Sequence, residues 1–173
     1  MACKNSNKTA LLLGRFQPPH KGHEALILHL LKKHKKLAVA IGSSNKSRTK
    51  TNPLRAKERL FLLKKLFSKK RGKGGKISFM LLPDNPSNKK WAQTFGKKFP
   101  KEKYILYSAN PLARALLKSH NFGKAPLLRR KGWQGKAIRK KIIEKKPYFS
   151  GIPAALRNWM KNSGEEIIRS CQN

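Results

Sequence analysis

The stretch LLLGRFQPPHKGH, residues 11–23, decides the fold that we expect for this chain. An apolar run ends at Gly14, prolines at positions 18 and 19 stop the extended segment, and a helical pattern of leucines begins near Lys21. This order predicts a buried strand, a tight turn and the first turn of a helix. His20 and His23 lie at that helix start, and their three-residue spacing places both rings on one side. Because a helix N-terminus offers free N–H groups and partial positive charge, the stretch is suited to hold phosphate.

Other interpretations of the two histidines stay open at this point. Histidine pairs bind zinc, although the local sequence adds no Cys, Asp or third His as a further ligand. The two rings can also stand at a helix start without any ligand. Gly22 lies between them and would let a phosphate approach the backbone closely. The pattern therefore favours a polyphosphate site and predicts no metal bound by protein side chains.

The composition is strongly basic, with 42 Lys and Arg against 7 Asp and Glu and a formal net charge of +35. The cations are spread along most of the chain, with short clusters at 32–36, 69–73 and 139–141. Such a field attracts anionic small molecules and favours non-specific adhesion to polyanions. No aromatic RNA-binding motif, zinc-finger spacing or heptad repeat accompanies the charge. The charge alone therefore does not indicate a dedicated nucleic-acid binder.

The length of 173 residues suits one domain with its own core. We expect a single domain over residues 1–173, with its core at about 9–145 and a helical C-terminal part at about 146–173. No apolar stretch reaches the roughly 20 residues of a membrane span, and the N-terminus lacks the apolar segment of a signal peptide. Cys3 and Cys171 have no metal-type spacing and are expected to be free thiols, which predicts a cytoplasmic protein.

Apolar strands and amphipathic helices alternate along the chain. Strands are predicted at 9–13, 37–41, 76–82 and 104–107, with a short fifth at 125–128. Helices are predicted at 21–34, 53–67, 88–95, 111–118, 135–144 and 153–161. Short strands that are apolar throughout indicate a parallel sheet covered on both faces, so we expect an α/β, Rossmann-like, doubly wound sheet of about five strands with C-terminal helices. The loops that follow its strands should meet at one edge, where ligands bind.

The string GRFQPPHKGH, residues 14–23, resembles the H-x-G-H motif of the nucleotidylyltransferase superfamily. Its fuller form, G-R-F-Q-P-x-H-x-G-H, resembles the archaeal-type nicotinamide mononucleotide (NMN) adenylyltransferases. Four later stretches resemble the same family in order: residues 41–43, the end of its second strand; 52–59, (D/N)-P-x-x-x-x-E-R; 84–91, D-x-x-x-N-x-x-W; and 107–112, Y-S-G-N-P-L. The resemblance covers about residues 10–145 and implies a sheet of the nucleotidylyltransferase type.

The resemblance also implies roles for the residues at the matching positions. The catalytic candidates would contact the phosphates and are His20, His23, Arg15 and Arg139. The candidates for nucleotide binding are Gly14, Phe16, Gln17, Gly22, Gly42, Ser43, Asp84, Asn88, Trp91, Ser108, Asn110, Pro111, Gln134, Gly135 and Lys136. Of these, the set at 84, 88 and 91 would receive the nicotinamide nucleotide.

The last family motif, S-G-T-x-(I/V)-R, is matched only in part. This chain has QGKAIR at residues 134–139, so both hydroxyl residues are replaced. Lys136 would offer a charge and Gln134 an amide in their place, which bears on catalytic rate and nucleotide choice. A basic, solvated helix is the alternative interpretation of Lys136 and Arg139.

Two of the nucleotide-binding candidates also have structural alternatives. Trp91 is either a core anchor or a face for the cationic nicotinamide ring, which prefers an aromatic surface. Asp84 either hydrogen-bonds the carboxamide or ribose of the nucleotide, or starts a turn with the Asn-Pro pair that follows it.

The implied reaction joins ATP to NMN, or to nicotinate mononucleotide, by direct attack of the mononucleotide phosphate on the ATP α-phosphorus. Its products are NAD and pyrophosphate, and Mg²⁺ carried by the ATP phosphates is the implied cofactor. Family members are often oligomeric, which leaves a homo-oligomer open. One alternative is the same fold with another acceptor, such as pantetheine phosphate, FMN or a cytidylyl substrate. The other is a catalytically weakened, nucleic-acid-binding relative, which the net charge and the changes at 134 and 136 motivate.

Overall fold

A computed structural model describes residues 7–68, 75–124 and 133–172 of the chain. Its four strands form one parallel sheet in the order β3-β2-β1-β4: β1 (Thr9–Gly14), β2 (Lys36–Ile41), β3 (Lys76–Leu81) and β4 (Tyr104–Tyr107). Ala10 pairs with Leu37, and Thr9 pairs with Tyr104. These four strands are confirmed to within one residue at each end. The expected fifth strand, at 125–128, lies outside the described residues.

Five helices flank the strands: α1 (Lys21–Lys33), α2 (Ala56–Phe67), α3 (Asn88–Lys98), α4 (Pro111–Leu116) and α5 (Gly135–Ile143). The side chains of His20, Ser87 and Asn110 cap the first turns of α1, α3 and α4. Helix α2 begins later than the sequence predicts, because the Glu58 carboxylate accepts a hydrogen bond from the Arg55 N–H and fixes the start of the helix there.

The two faces of the sheet enter separate cores, because successive side chains of a strand point in opposite directions. Leu12 and Val39 pack in a core with residues of α1, α2 and α5. Leu11 and Ala38 pack in a second core with residues of α3 and α4. The sheet is therefore covered on both faces, which explains why β1 and β2 lack polar alternation. The expected doubly wound α/β fold is confirmed.

The C-terminal segment follows a helical path that extends past the helix predicted at 153–161. It consists of 3-10 turns at Phe149–Gly151 and Ala154–Leu156, helix α6 (Arg157–Trp159), a π-helical turn at Met160–Gly164 and helix α7 (Glu165–Ser170). The sequence predicted a helix at 153–161, whereas the structure continues the helical path through Asn162, Ser163 and Gly164, which are weak helix formers. Met160 and Ile168 are buried in the first core on either side of these residues, and this packing continues the helical path.

Among the residues that the structure describes, no helix has the length and apolar character needed to cross a bilayer. Cys171 is a buried free thiol. Cys3, the other cysteine of the chain, lies outside the described residues.

Candidate active site

The loops that follow the strands meet at one edge of the sheet, which we call the carboxyl edge. Strand β1 lies between β2 and β4. In doubly wound sheets the crevice outside the end of such a strand is where ligands bind. The turn at 14–23 leaves β1 at this point, and the loop at 108–111 leaves the neighbouring β4. The candidate residues at 42–43 and 84–91 follow β2 and β3 at the same edge.

His20 and His23 form a stacked pair at the start of α1. Their ring centroids are 3.6 Å apart, with 26° between the planes. The Nδ1 atom of His20 accepts a hydrogen bond from the His23 backbone N–H at 3.3 Å. A neutral His20 ring therefore carries its proton on Nε2, which makes that atom a donor. Gly22 leaves room for the ring, because a Cβ at this position would lie 3.1 Å from two atoms of the His20 imidazole.

Burial holds both imidazoles neutral. It lowers the pKa of His20 to about 4. Burial, and then the nearby His20, lower the pKa of His23 well below its ordinary value. The buried Nδ1 of His23 has no hydrogen-bond partner among the described residues, and such an orphaned atom costs free energy. An anionic oxygen beside the pair would supply the missing partner and raise both pKa values.

Phe16 supports the histidine pair from the core. Its ring centroid lies 4.6 Å from that of His23, and the side chain is 1% exposed. A backbone φ of 55° turns the ring back over Gly14, where a Cβ would lie 3.0 Å from the Phe16 Cζ atom. The expected nucleotide contact of Phe16 stays a prediction, and the burial of its ring restricts that contact to the backbone.

Gln17 clamps two loops together. Its Nε2 donates to the Leu54 carbonyl, its Oε1 accepts from the Leu54 N–H, and both distances are 2.9 Å. The side chain thus joins the turn after β1 to the segment that precedes α2. Because both ends of the amide are used within the protein, the nucleotide contact that the sequence predicts for Gln17 would have to break this clamp or use the backbone.

The start of α5 reaches the same turn from 122 residues away in sequence. The Nη1 atom of Arg139 donates to the Gln17 carbonyl at 2.6 Å, and a Cβ on Gly135 would lie 2.8 Å from that carbonyl oxygen. Burial lowers the pKa of Arg139, and repulsion by the charge of Arg15 lowers that pKa further. Gln134 is the N-cap residue but makes no capping bond through its side chain, and this suits the first turn of α5 to bind an anion.

The residues predicted to receive the nicotinamide nucleotide lie just after β3. The Asp84 backbone N–H donates to the Asn45 Oδ1 atom at 2.8 Å, and the Asp84 carbonyl accepts from the Asn45 Nδ2 atom at 3.0 Å. The Asp84 carboxylate also pairs with Lys46 at 3.1 Å. These bonds tie the loops after β2 and β3 together. Asn88 is exposed at the first position of α3.

Trp91 is half-buried on α3. Its ring centroid lies 5.3 Å from that of Phe95, and it packs against the second core. The core-anchor interpretation therefore describes part of the ring, and the remainder faces solvent. A nicotinamide contact by Trp91 stays a prediction.

The loop after β4 is fixed by short-range hydrogen bonds. Ser108 Oγ accepts from the Asn110 N–H at 3.2 Å, and Asn110 Oδ1 accepts from the Leu112 N–H at 3.1 Å. Pro111 takes the first position of α4, where a missing N–H costs nothing. Lys136, on the first turn of α5, is exposed. For all these residues the structure gives a place at the carboxyl edge, and their contacts with nucleotide stay predictions.

The sequence profile of the cytidylyltransferase-like family matches residues 11–121 of the chain. A nicotinamide-nucleotide adenylyltransferase from Thermoplasma acidophilum is 33% identical over 150 residues, which cover 84% of this chain and 81% of that protein. The chain belongs to the nicotinamide-nucleotide adenylyltransferase family. A relative of the same name from Thermoplasma volcanium is 30% identical over 148 residues, which cover 83% of this chain and 80% of the relative.

The fold of this adenylyltransferase is also found among solved structures. A bifunctional NMN adenylyltransferase/ADP-ribose pyrophosphatase from Francisella tularensis, crystallised with AMP and a Mn ion, superposes with a TM-score of 0.71 at 18% identity. The match covers 94% of this chain and 52% of that protein, so the chain spans about half the length of the bifunctional enzyme. Similarity at this level of identity shows the fold.

Arg59 is a residue of the candidate site that the sequence analysis missed. Its fully buried guanidinium donates to the carbonyl oxygens of Arg15 at 2.8 Å, Gly42 at 2.7 Å and Ser43 at 3.0 Å. It thus joins the ends of β1 and β2. Burial lowers the pKa of Arg59 to about 10, so the group stays charged at neutral pH. The available signal was the Arg of the 52–59 motif, but its partners lie 16 to 44 residues away in sequence.

Gly42 and Ser43 form part of the frame that Arg59 holds. The Gly42 N–H donates to the Gly14 carbonyl at 2.9 Å and continues the pairing of β1 with β2. Ser43 has a φ of 51° and is buried. With their carbonyls bound to Arg59, these two residues are held in place beside the candidate site. A direct nucleotide contact by either stays a prediction.

Proposed function

We propose that this adenylyltransferase joins ATP to NMN, or to nicotinate mononucleotide, and releases pyrophosphate. The observation that carries the proposal is the convergence of two distant motifs on one turn. The stacked His20 and His23 lie at the start of α1, and Arg139 of α5 donates to the Gln17 carbonyl of the same turn at 2.6 Å. Imidazole N–H groups, guanidinium groups and helix N-termini all suit phosphate oxygens. The name of the Thermoplasma acidophilum relative supports a nicotinamide nucleotide as the acceptor.

The proposed reaction is a displacement at the α-phosphorus of ATP. A phosphate oxygen of NMN forms a bond to that phosphorus, and the bond from the phosphorus to the bridging oxygen of pyrophosphate breaks. The attacking phosphate is already an anion at neutral pH, so the reaction needs neither a strong general base nor a covalent enzyme intermediate. Catalysis then rests on alignment and on stabilisation of the charge that develops on the phosphates.

Four side chains would supply this stabilisation. The proton on Nε2 makes His20 a donor to the phosphates near the reacting centre, while His23 would hold the triphosphate at the helix start. Arg15 and Arg139 would neutralise phosphate oxygens through their forked donors. The first turn of α5 would add its backbone N–H groups, with Lys136 in place of the hydroxyl residue of the family pattern.

Mg²⁺ would enter as part of the MgATP substrate. The described residues contain no group of three His, Cys, Asp or Glu side chains placed to hold a metal ion. Mg²⁺ keeps much of its water shell and is commonly bound through substrate phosphates, which fits a site of cationic and neutral donors. The Mn ion in the Francisella tularensis structure supports the use of a divalent ion, and the choice of Mg²⁺ for this protein is part of the proposal.

The cytoplasmic location and a homo-oligomeric state stay predictions.

The test is an incubation of the purified protein with ATP, Mg²⁺ and NMN, followed by chromatography of the dinucleotide and assay of pyrophosphate. Nicotinate mononucleotide, FMN and pantetheine phosphate are supplied separately and in competition with NMN. We expect NAD from NMN, and the acid analogue from nicotinate mononucleotide. Preference for FMN or pantetheine phosphate would replace the proposed acceptor, and absence of pyrophosphate with every acceptor would contradict adenylyl transfer. A preparation of the His23→Ala variant controls for contaminating host enzyme.

A further inference from the structure

The opposite edge of the sheet, which we call the amino edge, carries exposed lysines that the proposed reaction does not use. Helices of a doubly wound sheet run back to this edge before the next strand begins. The last turns of α1, α2 and α3 each bring a lysine pair there, and all six side chains are exposed: Lys32, Lys33, Lys64, Lys65, Lys97 and Lys98.

Six more lysines lie where the strands begin: Lys8, Lys35, Lys36, Lys76, Lys101 and Lys103. The register places Lys36 directly beside Lys76 on the neighbouring strand, and both are exposed. The Lys8 ammonium donates to the Lys101 carbonyl at 3.1 Å, so the starts of β1 and β4 also lie together. None of the ion pairs found within the described ranges involves a lysine of either set.

Helix electrostatics explain only the first set. Cations are favoured in the last turn of a helix, which accounts for the pairs at the ends of α1, α2 and α3. Lysine is depleted in strands, and like charges placed opposite each other on neighbouring strands are destabilising. The juxtaposition of Lys36 and Lys76 therefore opposes folding. An edge that keeps such charges unpaired is suited to an anionic partner.

We propose that the amino edge binds the phosphate backbone of a nucleic acid without reading its sequence. Every cation in the two sets is a lysine, which contacts phosphate as a point charge and lacks the planar, bidentate fork of arginine. Phosphate contacts give affinity and position but carry no sequence information. A recess of about 510 Å³ between the starts of β1 and β4 gives the edge a concave part. It is lined by Lys8 and Lys103 and also by Glu102, an acid that stands among the lysines of this edge.

Two other classes of partner fit this edge less well. Protein interfaces are enriched in Tyr, Trp and Arg and depleted in Lys, the reverse of what this edge offers. A membrane surface site needs an apolar anchor beside its basic residues. The exposed large apolar side chains found in the described part of the chain are Phe61, Leu112 and Ile143. Phe61 lies beside the amino edge, with its ring centroid 5.9 Å from the Lys65 ammonium, but one aromatic ring does not form the apolar face that an interfacial helix inserts.

The proposed binding surface is separate from the active site. Strands β1, β2 and β3 have 6 residues each, so the two edges are about 20 Å apart at roughly 3.3 Å per residue. A nucleic acid at the amino edge would leave the carboxyl edge open to ATP and NMN. This inference therefore does not depend on the proposed reaction, and the two can fail separately.

The test compares two variants that remove equal charge from opposite edges. The first replaces Lys32, Lys33, Lys35 and Lys36 with Gln, and the second replaces Lys50, Lys57, Lys89 and Lys90 with Gln; all eight side chains are exposed. Each variant lowers the net charge by four, from +35 to +31. The probe is a fluorescein-labelled RNA of about 24 nucleotides, single-stranded or in a duplex, titrated by anisotropy between about 50 and 200 mM salt.

We expect the amino-edge variant to lose at least about tenfold in affinity, with a salt slope reduced by two or more, since each lost phosphate contact lowers the slope by about 0.9 or less. The opposite-edge variant should lose less than about threefold, because its lysines lie outside the surface. Saturating NAD should not displace the probe, and the amino-edge variant should keep its NAD synthesis. If the first variant fails to fold, a variant with Gln at Lys97, Lys98, Lys101 and Lys103 replaces it.

Equal losses in the two variants would mean that net charge alone drives binding and would overturn the proposal. Displacement of the RNA by NAD would place the nucleic acid in the active site, with the same consequence. The proposal would also be overturned if the wild-type protein did not bind RNA. In that case, tight binding to vesicles containing phosphatidylserine would identify a membrane surface as the partner.

Discussion

The two edges of the sheet use positive charge in different ways. At the carboxyl edge, Arg59 is buried and Arg139 half-buried, each donates to backbone carbonyls, and the two histidines beside them are held neutral. At the amino edge, Lys36 and Lys76 stand side by side in solvent. Fixed donors can select one arrangement of phosphates, whereas mobile ammonium groups accept any phosphate chain. The net charge of +35 therefore combines two surfaces with different chemistry.

The largest difference between the edges should appear when a histidine is removed from each end of α1. His23→Ala removes a phosphate donor and should lower kcat about 10²–10³-fold while the protein stays folded. His34→Ala, at the other end of the helix, removes a 2.8 Å hydrogen bond to the Tyr107 hydroxyl and should cost about 1 kcal/mol of stability with little loss of activity. Pyrophosphate assays and thermal unfolding measure the two effects. Similar activities in the two variants would remove His23 from the site.

The second prediction concerns the frame under the carboxyl edge. Arg59→Met leaves three carbonyls without their donor, at about 1–3 kcal/mol for each such group, so we expect at least about 3 kcal/mol lower stability. Separation of the β1 and β2 ends should also lower kcat about 10–100-fold. Arg59→Lys keeps the charge and part of the donor set and should recover part of both losses. A wild-type kcat in folded Arg59→Met would show that this positioning role is absent.

The exposed Arg55, four residues earlier at the start of α2, provides the control for that prediction. Arg55→Met removes one cation of the same kind from the surface and should leave kcat within about twofold of wild type. If this variant lost as much activity as Arg59→Met, loss of charge near the site would explain the result, and the buried hydrogen bonds would not.

The elements next to these residues could be predicted from the sequence because their signals are local. The apolar run before Gly14, the two prolines and the cap at His20 set the end of β1 and the start of α1 within a few residues of one another. The same signals placed the histidine pair at a helix start. Arg139 could be predicted as a site residue only from the resemblance of residues 134–139 to a family motif, because no local pattern points to it.

The frame of the site could not be predicted in this way. Arg59 and Gln17 act on carbonyl and amide groups 16 to 44 residues away, and a backbone group carries no residue-specific signal. The sequence gives no reason to prefer Leu54 over its neighbours as the partner of Gln17. Likewise, the helical path past Gly164 depends on burial of Ile168 in a core built by distant strands.

A third prediction uses the neutral state of His20. Because its folded pKa of about 4 lies below the ordinary value of 6.5, the unfolded chain binds the extra proton between these pH values. Stability is therefore fully present above about pH 6.5 and falls as pH decreases toward 4, by about 2 kcal/mol from this group at pH 5. His20→Asn keeps a good helix cap and should lose this part of the pH dependence. Denaturant unfolding at pH 7 and 5 measures it; equal losses of stability in the two proteins would mean that burial does not hold the His20 ring neutral.

The smallest effect should come from adding one methyl group near each edge. At the carboxyl edge, the Cβ of Gly135→Ala would lie 2.8 Å from the Gln17 backbone oxygen, so α5 must shift away from the turn. We expect about 1 kcal/mol of destabilisation and a several-fold rise in the KM for ATP. In the last turn of α3, the Cβ of Gly96→Ala would lie 3.8 Å from the His120 ring, an ordinary contact, and should stabilise the helix by about 0.5–1 kcal/mol. Thermal unfolding should show a lower stability for Gly135→Ala and a higher stability for Gly96→Ala. Steady-state kinetics should show a raised KM for ATP in Gly135→Ala alone. A stabilised, fully active Gly135→Ala would mean that the start of α5 is not held against the histidine turn, and Arg139 would lose its place in the proposed site.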